Sequence, residues 1–379
     1  MGTHEHEPEL QAQLIDSKTG LRAFVVADNL VSGKAMGGTR ISAGVSLEEV
    51  RGLARRMSLK LALAGVRIGG SKGAIVLDPK VQGEARERVL ASFGQLAGPL
   101  LRGGVYLGTD LGCTYAERSF IHRHAQYAVE QQVSLPCDWA TLWQHCSDVT
   151  GLGVAHASAV AADLLELGAR RRRVVIQGFG EVGQAAARHA ERLGLRVVAV
   201  ADIHGTVSAE GGLPLDALLA ITDERGEIDR TRLPSGVRAS PQPEAWLDID
   251  AEVLVPAAVA NAVHAGNVQR VRAQIVVEGA NSPLTPEAIA HLAGERRLVV
   301  PDIVANAGGA IGCGLALLGA IPTGTTPQEA AAWLFDQTET RVGANTRVVY
   351  EQARAEKLST HRVAEHLAER RRSELFARS

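Results

Sequence analysis

Two lysines set twelve residues apart have the clearest chemical potential in this sequence. Lys60 and Lys72 lie in the stretch 57–79, and Arg67 is the one other charged residue between them. Apolar and small residues fill the interval, so we expect at least one of the two ammonium groups to be poorly solvated. Desolvation lowers the pKa of a lysine, and a second cation nearby acts in the same direction. A lysine in such surroundings can act as a general base near neutral pH.

The elements around these lysines predict where each one is held. Residues 69–70 are a glycine pair that lets the backbone come close to whatever Lys72 contacts, and the apolar run 75–77 predicts a buried strand. A helix is predicted to begin at Ser46 and to run towards Lys60. We therefore expect Lys60 near a helix end and Lys72 on the loop that enters the strand. The alternative for Lys72 is a solvated side chain in a glycine turn.

Asp110 follows the predicted strand 105–107 and stands between glycines. Active sites in α/β sheets collect at the carboxyl ends of strands, which makes this carboxylate a candidate for the site. An Asx-turn or a helix N-cap is the alternative role. His122 and His124 fall on the next predicted helix without a carboxylate at ligand spacing, so we interpret them as surface residues and predict no metal site.

The segment 173–183 matches a dinucleotide-binding fingerprint. An apolar, β-branched run is followed by G-F-G-E-V-G, which opens a predicted helix. Gly178 makes the tight turn, Gly180 admits a pyrophosphate to the helix N-terminus, and Gly183 packs the helix on the strand. The sequence thus predicts a cofactor loop formed by Gly178, Gly180, Glu181, Val182 and Gly183.

The next predicted strand, 196–201, ends at Asp202. An acid at this place accepts hydrogen bonds from the adenosine ribose, and its charge repels a 2′-phosphate. We therefore predict NAD as the cofactor rather than NADP. His204 and Arg173 keep NADP open as an alternative.

Short apolar runs separated by helical segments continue at 253–256, 275–277 and 298–300. This pattern is typical of a parallel sheet buried on both faces. Asn281 and Asn306 follow two of these runs, and amides at strand ends suit hydrogen bonding to a carboxamide or a carboxylate. Turn formation is the alternative role for both asparagines.

The length of 379 residues predicts two α/β domains. We assign residues 1–145 to an N-terminal substrate, catalytic and oligomerisation domain and 146–322 to a Rossmann-type dinucleotide-binding domain. The charged helical segment 323–379 is expected to pack back on the first domain. Residues 131–146 are predicted to be irregular and to connect the domains.

Composition excludes several classes of partner. The chain is 46% hydrophobic and 22% charged, with a net charge of −2, so no large field attracts nucleic acid or an anionic membrane. The N-terminal segment lacks the pattern of a signal peptide. Four cysteines without C-x-x-C spacing predict reduced thiols and a cytoplasmic protein.

In combination, these motifs resemble the glutamate/leucine/phenylalanine/valine dehydrogenase family, closest in pattern to its leucine and phenylalanine dehydrogenases. The resemblance covers roughly residues 21–309. The motifs that carry it, in order, are G-G-T-R at 37–40, M-S-L-K at 57–60, G-G-S-K-G at 69–73, T-D-L-G at 109–112, D-V-T-G-L-G at 148–153, the fingerprint at 178–183, E-G-A-N at 278–281 and A-N-A-G-G at 305–309.

The resemblance implies reversible oxidative deamination of an L-amino acid to a 2-oxo acid and ammonia, with hydride passing to NAD. It implies that Lys72 activates the water that adds to the imine carbon and that Asp110 exchanges protons with the amino group. A homo-oligomer is expected by analogy. The implied ligands of the substrate α-carboxylate are Lys60, Gly37, Gly38 and Asn306, and the implied cofactor residues beyond the fingerprint are Thr150, Asn281 and Ala257.

Substrate specificity is where the sequence departs from the glutamate-specific members. Those members hold the side-chain carboxylate with a lysine and a serine, whereas Met36 and Cys313 stand at the corresponding positions here. Burying an unpaired carboxylate is costly, which disfavours glutamate. Gly108 and Ala310 at the same implied pocket are small. We therefore expect a bulky apolar or aromatic substrate resembling phenylalanine, leucine or tryptophan.

Two alternatives remain open from the sequence. One is a glutamate dehydrogenase with an atypical side-chain pocket, in which Arg40 or Arg67 supplies the positive charge. The other is a nucleotide-binding homologue without catalysis, and the presence of Lys72 and Asp110 argues against it.

Overall fold

A computed structural model describes residues 7–376 and divides them into two compact units. The first unit contains residues 7–139, Cys313–Gly324 and 368–376, and the second contains Ala140–Gly312 and Thr325–Leu367. Both units combine a β-sheet with helices, as the α/β pattern of the sequence predicts. Within the described residues, every helix is too short or too polar to cross a membrane.

The first 139 residues alternate strands with long helices. In chain order, the elements are β1 (Leu10–Asp16), β2 (Leu21–Ala27), β3 (Ala35–Ser42), α1 (Leu47–Leu63), β4 (Gly69–Val76), α2 (Gly83–Arg102), β5 (Val105–Thr109) and α3 (Tyr115–His124).

The sheet of the first unit has the strand order β1-β2-β4-β3-β5. β1 and β2 form an antiparallel hairpin, and β2 pairs antiparallel with β4. β3 pairs in parallel with both β4 and β5. Three strands whose carboxyl ends point the same way therefore lie side by side, and both connections between them in the chain are helical, through α1 and α2.

Lys72 lies within β4 and not on a loop before it, which corrects the expectation from the sequence. The strand begins at Gly69, because a glycine there and at position 70 lets neighbouring backbone come close. A Cβ atom at Gly70 would overlap the backbone of α1 at Ser58. The pattern of apolar residues does not show that α1 and β4 come this close. From the sequence alone, the glycine pair at 69–70 therefore indicates a turn.

The remainder of the chain forms the second sheet and its helices. In chain order, the elements are α4 (Trp139–Cys146), α5 (Val149–Leu164), β6 (Arg173–Gln177), α6 (Glu181–Arg192), β7 (Arg196–Asp202), β8 (Gly205–Ser208), α7 (Leu215–Leu219), β9 (Arg238–Ser240), β10 (Val253–Pro256), β11 (Ile275–Val277), α8 (Pro286–Gly294), β12 (Leu298–Val300), α9 (Asp302–Ala305), α10 (Gly308–Leu317), α11 (Pro327–Glu356) and α12 (Thr360–Phe376).

The second sheet has the order β12-β11-β10-β6-β7-β8-β9. β6, β7, β10, β11 and β12 are parallel, as the buried apolar runs predict. β8 and β9 extend the sheet in antiparallel fashion and were not predicted, because strands of three or four residues carry too little periodicity. The chain order reverses between β6 and β10, and this switch point is where open α/β sheets bind ligands.

Residues 139–146 form helix α4, whereas the sequence predicts an irregular segment there. Trp139, at the start of this helix, packs its ring 5.3 Å from that of Tyr106. A helix of eight residues is short enough for its period to escape notice.

The C-terminal helices divide differently from the expected boundaries. Thr325–Leu367 belongs to the second unit, where α11 packs along α5 through small residues: a Cβ at Gly343 would lie 2.8 Å from Nε2 of His156. The described residues 368–376 belong to the first unit, as does Cys313–Gly324, whereas the expected dinucleotide-binding domain extends to residue 322. In the first unit, Arg371 donates to the carbonyl oxygen of Leu63.

Candidate active site

Four charged side chains form a continuous row in the first unit. The Lys72 ammonium lies 2.9 Å from Oδ1 of Asp110, and Arg40 donates from Nε to Oδ2 of Asp110 at 2.9 Å. Arg40 also pairs through Nη1 with Oε1 of Glu49 at 2.6 Å. Cations and carboxylates alternate along this row, so Asp110 is held between two cations.

The row is assembled by three neighbouring parallel strands. Lys72 lies in β4, Arg40 lies in β3, and Asp110 directly follows β5. Gly37 and Gly38 allow these strands to come together: a Cβ at Gly37 would overlap the backbone of β4, and one at Gly38 would lie 3.0 Å from Cβ of Asp110. The two glycines predicted to bind substrate therefore lie beside the Lys72–Asp110 pair.

Burial and charge together set the protonation of this pair. Desolvation lowers the pKa of Lys72, whose side chain is 6% exposed, and Arg40 acts in the same direction while Asp110 opposes it. Burial favours the protonated form of Asp110, but Lys72 and Arg40 outweigh burial and lower its pKa. The pKa of Lys72 is therefore lowered, which is the direction that the poorly solvated stretch predicts, and the lysine stands beside a carboxylate whose pKa is also lowered.

Lys60 lies in the last turn of α1, as predicted, and its side chain is buried. Its position is set by an N-cap at Ser46, which accepts from the backbone of Glu49 and starts the helix. Ala310 is also buried and lies in the first turn of α10.

Three residues assigned to the side-chain pocket gather around one tyrosine. Met36 pairs in register with Tyr106 of β5, and a Cβ at Gly108 would lie 3.2 Å from the Tyr106 ring. Tyr106 also lies near Cys313: burial raises the pKa of the Cys313 thiol to about 12, and Tyr106 acts in the opposite direction. Arg118 of α3 donates to the Tyr106 hydroxyl at 3.3 Å. Neither Tyr106 nor Arg118 belongs to a motif that is recognisable in the sequence.

His122 is buried, which corrects its interpretation as a surface residue. Its Nε2 lies 2.8 Å from the carbonyl oxygen of Leu107, to which it donates. Burial and the nearby Arg118 cation lower the pKa of His122 to about 4, so the ring is neutral at physiological pH. The helix that carries His122 is present as predicted. Which face of this helix, α3, is buried depends on its packing against β5, and the sequence pattern does not show that packing.

In the second unit, the glycines of the fingerprint fulfil the predicted requirements of a dinucleotide loop. Gly178 adopts φ +97°, a conformation that other residues rarely adopt. A Cβ at Gly183 would overlap the Gly178 carbonyl, whereas the space beside Gly180 is open. Glu181 and Val182 form the first turn of α6. This cradle fits a pyrophosphate at the helix N-terminus.

Asp202 ends β7 as predicted, but its carboxylate is already engaged. Arg230 binds both oxygens, with Nη2 at 2.5 Å from Oδ1. The backbone nitrogens of Ile228 and His204 donate to the same carboxylate at 2.8 Å each. The side chain is 3% exposed and its pKa is lowered, because Arg230 and these donors outweigh the burial that would raise it.

The two predicted asparagines lie together. Asn306 donates from Nδ2 to the carbonyl oxygens of Gly279 and Ala280, at 3.2 and 2.9 Å, and to Oδ1 of Asn281 at 3.2 Å. Asn306 thus orients the loop that carries Asn281. Thr150 lies nearby in this unit, since a Cβ at Gly309 would be 2.9 Å from its Oγ1.

Ala257 follows β10 at the carboxyl edge of the second sheet. Its backbone nitrogen donates to the carbonyl oxygen of Gln177, the last residue of β6, at 2.6 Å. Ala257 therefore lies beside the start of the fingerprint loop at the switch point.

Three arginines contribute to these sites in ways that the sequence does not predict: Arg40, Arg118 and Arg230. Arg40 had a visible signal, because it ends the G-G-T-R motif, but its pairing with Asp110 depends on the order of the strands. Arg118 and Arg230 stand in segments without a recognisable motif. Among the residues that the structure describes, no group of histidine, cysteine and acidic side chains could hold a metal ion.

The Rossmann-type sheet, its fingerprint and the lysine–carboxylate pair together define a nicotinamide-dinucleotide-dependent amino-acid dehydrogenase. The chain belongs to the Glutamate/Leucine/Phenylalanine/Valine dehydrogenase family: the family's model matches residues 144–372, and that of its dimerisation domain matches residues 6–116. The resemblance inferred from the motifs is thereby confirmed.

Several similar proteins are named glutamate dehydrogenases. Glutamate dehydrogenase of Thermotoga maritima is 35% identical over 303 residues, which cover 77% of this chain and 70% of that protein. NADP-specific glutamate dehydrogenase of Saccharolobus shibatae is 31% identical over 318 residues, covering 80% and 73%. The solved hetero-hexameric glutamate dehydrogenase of Thermus thermophilus, in a Leu-bound form, is 32% identical with a TM-score of 0.80 and covers 97% of this chain and 89% of that one.

Proposed function

We propose that this enzyme catalyses the reversible oxidative deamination of L-glutamate to 2-oxoglutarate and ammonia. The observation that supports glutamate is the identity of 31–35% with glutamate dehydrogenases over more than three quarters of the chain. This proposal takes precedence over the apolar substrate expected from Met36 and Cys313. The comparisons favour the alternative with an atypical side-chain pocket.

The proposed chemistry assigns one role to each charged group. Lys60 binds the α-carboxylate, with Gly37 and Gly38 beside it. Asp110, which its lowered pKa keeps in the ionised form, accepts a proton from the substrate ammonium. After the hydride has left the α-carbon, Lys72 in its neutral form takes a proton from the water that attacks the imine carbon, and Asp110 returns its proton to the amino group, which leaves as ammonia. When bound, the nicotinamide accepts the hydride from the α-carbon.

The second unit supplies the proposed cofactor contacts. Gly178, Gly180, Glu181, Val182 and Gly183 hold the pyrophosphate against the N-terminus of α6. Thr150 and Asn281 bind the carboxamide, and Ala257 lines the same edge of the sheet. We retain Asn306 as a ligand of the α-carboxylate; its hydrogen bonds to the Asn281 loop give it a second role in orienting that loop.

The γ-carboxylate of glutamate still requires a cation. Arg40 is ion-paired with Asp110 and Glu49, which argues against the role that we considered for it. Arg67 is exposed, and its charge is screened by water. A buried carboxylate needs a closer and less solvated partner.

A bulky apolar amino acid is the second candidate substrate. Met36 and Cys313 cannot neutralise a carboxylate, and Gly108 leaves room for a large group. These three residues therefore favour an apolar substrate side chain. Met36, Gly108, Ala310 and Cys313 would then contact that side chain directly.

A screen of the purified enzyme against the L-amino acids decides between the two candidates. Oxidative deamination is followed through the absorbance of the reduced cofactor at alkaline pH, with NAD and NADP in parallel. We expect the highest kcat/KM with glutamate. A higher value for phenylalanine, leucine or tryptophan would refute the glutamate assignment and restore the apolar one. Absence of turnover with every amino acid would support the non-catalytic alternative.

We propose that the enzyme accepts NADP as well as NAD, which modifies the preference expected from Asp202. Arg230 neutralises this carboxylate, and four hydrogen bonds occupy its oxygens. The repulsion of a 2′-phosphate is therefore weakened, and the guanidinium is a suitable partner for that phosphate.

Replacing Arg230 by alanine should shift the cofactor preference towards NAD. The freed Asp202 carboxylate would bind the ribose hydroxyls and repel the 2′-phosphate. We expect the ratio of kcat/KM for NAD to that for NADP to rise about tenfold, which corresponds to ~1.4 kcal/mol. The exposed Arg232 in the same segment provides the control, and R232A should leave the ratio unchanged. A constant or falling ratio in R230A would contradict this role.

We also propose a homo-oligomer. The match of residues 6–116 to a dimerisation domain supports this assembly. Light scattering of the purified protein measures the mass, and a monomer at micromolar concentration would refute the proposal.

A further inference from the structure

Arg118 is a buried cation whose charge is not neutralised within the described part of the chain. The residue is 9% exposed and lies on α3. Its one side-chain hydrogen bond goes from Nη1 to the hydroxyl of Tyr106 at 3.3 Å, and its Nε lies buried without a hydrogen-bond acceptor. No carboxylate of residues 7–376 forms an ion pair with it.

The neighbouring acid in the sequence serves another arginine. Glu117 pairs with Nε of Arg86 at 2.5 Å and closes the capping box of α3 with Thr114. Its pKa is lowered, because these partners outweigh burial. Glu117 thus neutralises Arg86 and stabilises the start of the helix, while the next residue keeps its positive charge.

The titratable groups that surround Arg118 are neutral at physiological pH. Burial raises the pKa of Tyr106 well above its usual value and raises that of Cys313 to about 12. Burial likewise raises the pKa of Tyr127. Burial and Arg118 itself lower the pKa of His122 to about 4. The cation is therefore surrounded by two phenols, a thiol and a neutral imidazole.

An arrangement of this kind is costly unless an anion completes it. A buried charge without a partner destabilises a protein strongly, and guanidinium groups are suited to bidentate binding of carboxylates. Tyr106 connects Arg118 to the residues of the side-chain pocket, because a Cβ at Gly108 would lie 3.2 Å from the Tyr106 ring and 3.5 Å from its hydroxyl oxygen, and Met36 pairs with Tyr106 in register. The missing anion therefore belongs at the pocket that receives the substrate side chain.

We propose that Arg118, together with the hydroxyl of Tyr106, binds the side-chain carboxylate of the substrate. This inference rests on the proposed action on glutamate and identifies the group that replaces the lysine absent at position 36. Arg118 supplies the charge, and the Tyr106 hydroxyl, which accepts a hydrogen bond from Arg118, donates one to the carboxylate. Arg118 is a specificity residue and takes no part in the chemical steps.

Replacing Arg118 by methionine should remove activity towards glutamate selectively. The probes are L-glutamate and L-norvaline, which has the same carbon chain without the terminal carboxylate. We expect kcat/KM for glutamate to fall by at least about 30-fold, equivalent to ~2 kcal/mol, because truncation of one member of a buried charge pair costs that much or more. For norvaline, kcat/KM should stay the same or rise.

Two further variants complete the test. R123M removes the exposed arginine on the same helix and should leave kcat/KM unchanged for both glutamate and norvaline. R118K keeps a cation without the planar fork, so we expect a smaller, roughly tenfold loss with glutamate; this variant preserves the charge if the methionine variant does not fold. An equal loss with both substrates in R118M and R118K would show a structural role and overturn the inference.

The same measurements separate this inference from the proposed function. If the wild-type enzyme prefers norvaline to glutamate, the assignment to glutamate fails. If the wild-type enzyme prefers glutamate and R118M keeps that preference, only the role of Arg118 fails.

Discussion

Replacing Lys72 by alanine should lower kcat by about 10²–10⁴-fold, the contribution of a well-placed general base. Burial lowers the pKa of this lysine, so its neutral form can take a proton from the attacking water. Alanine cannot perform this transfer. Dinucleotide binding depends on residues of the other unit and should persist. Steady-state kinetics give kcat, and fluorescence titration with the reduced cofactor gives the dissociation constant.

The exposed Lys80, just beyond the end of β4, provides the matched control. K80A should retain wild-type turnover and cofactor affinity. Undiminished turnover in K72A would refute the base assignment, and loss of cofactor binding together with turnover would point to general misfolding.

Replacing Asp110 by asparagine should produce a similar loss of kcat, about 10²–10⁴-fold, because an amide cannot accept the proton of the substrate ammonium. The change should also move the pH dependence. Asp110 raises the pKa of Lys72, whereas desolvation and Arg40 lower it. Removal of the carboxylate charge therefore lowers the pKa of Lys72 further, and the rise of residual kcat/KM with pH should occur at lower pH.

The pH profile of D110N, measured against that of the wild type, tests both effects. D78N changes an exposed aspartate after β4 and should leave the profile unchanged. A shift of the profile to higher pH would contradict the proposed balance of charges around Lys72.

Corresponding positions describe only part of the proposed side-chain pocket. Met36 and Cys313 indicate that the usual partners of a γ-carboxylate are absent. If Arg118 binds that carboxylate as we propose, the charge comes from another element. Arg118 comes from α3, which follows the edge strand β5 in the chain, and donates to the hydroxyl of Tyr106 in that strand. Spacing along the chain does not predict this approach.

Much of the architecture can be predicted from local patterns. The fingerprint at 178–183, the parallel runs of the second sheet and the Ser46 cap of α1 each depend on residues close in the chain. Glycine, β-branched and capping residues restrict the backbone wherever they occur, so these predictions need no knowledge of distant contacts. Lys72 and Asp110 were identified in the same way, from their positions beside strands.

The pairings between distant segments required the folded chain. β3 lies between β4 and β5, which brings Arg40 to Asp110 although seventy residues separate them. Packing of α3 on β5 buries His122 and Arg118, and Arg230 closes over Asp202 from a segment without a motif. Residue types and short-range spacing specify elements and candidate groups, whereas strand order and helix packing specify which charges neutralise one another, because these depend on free energies summed over long-range contacts.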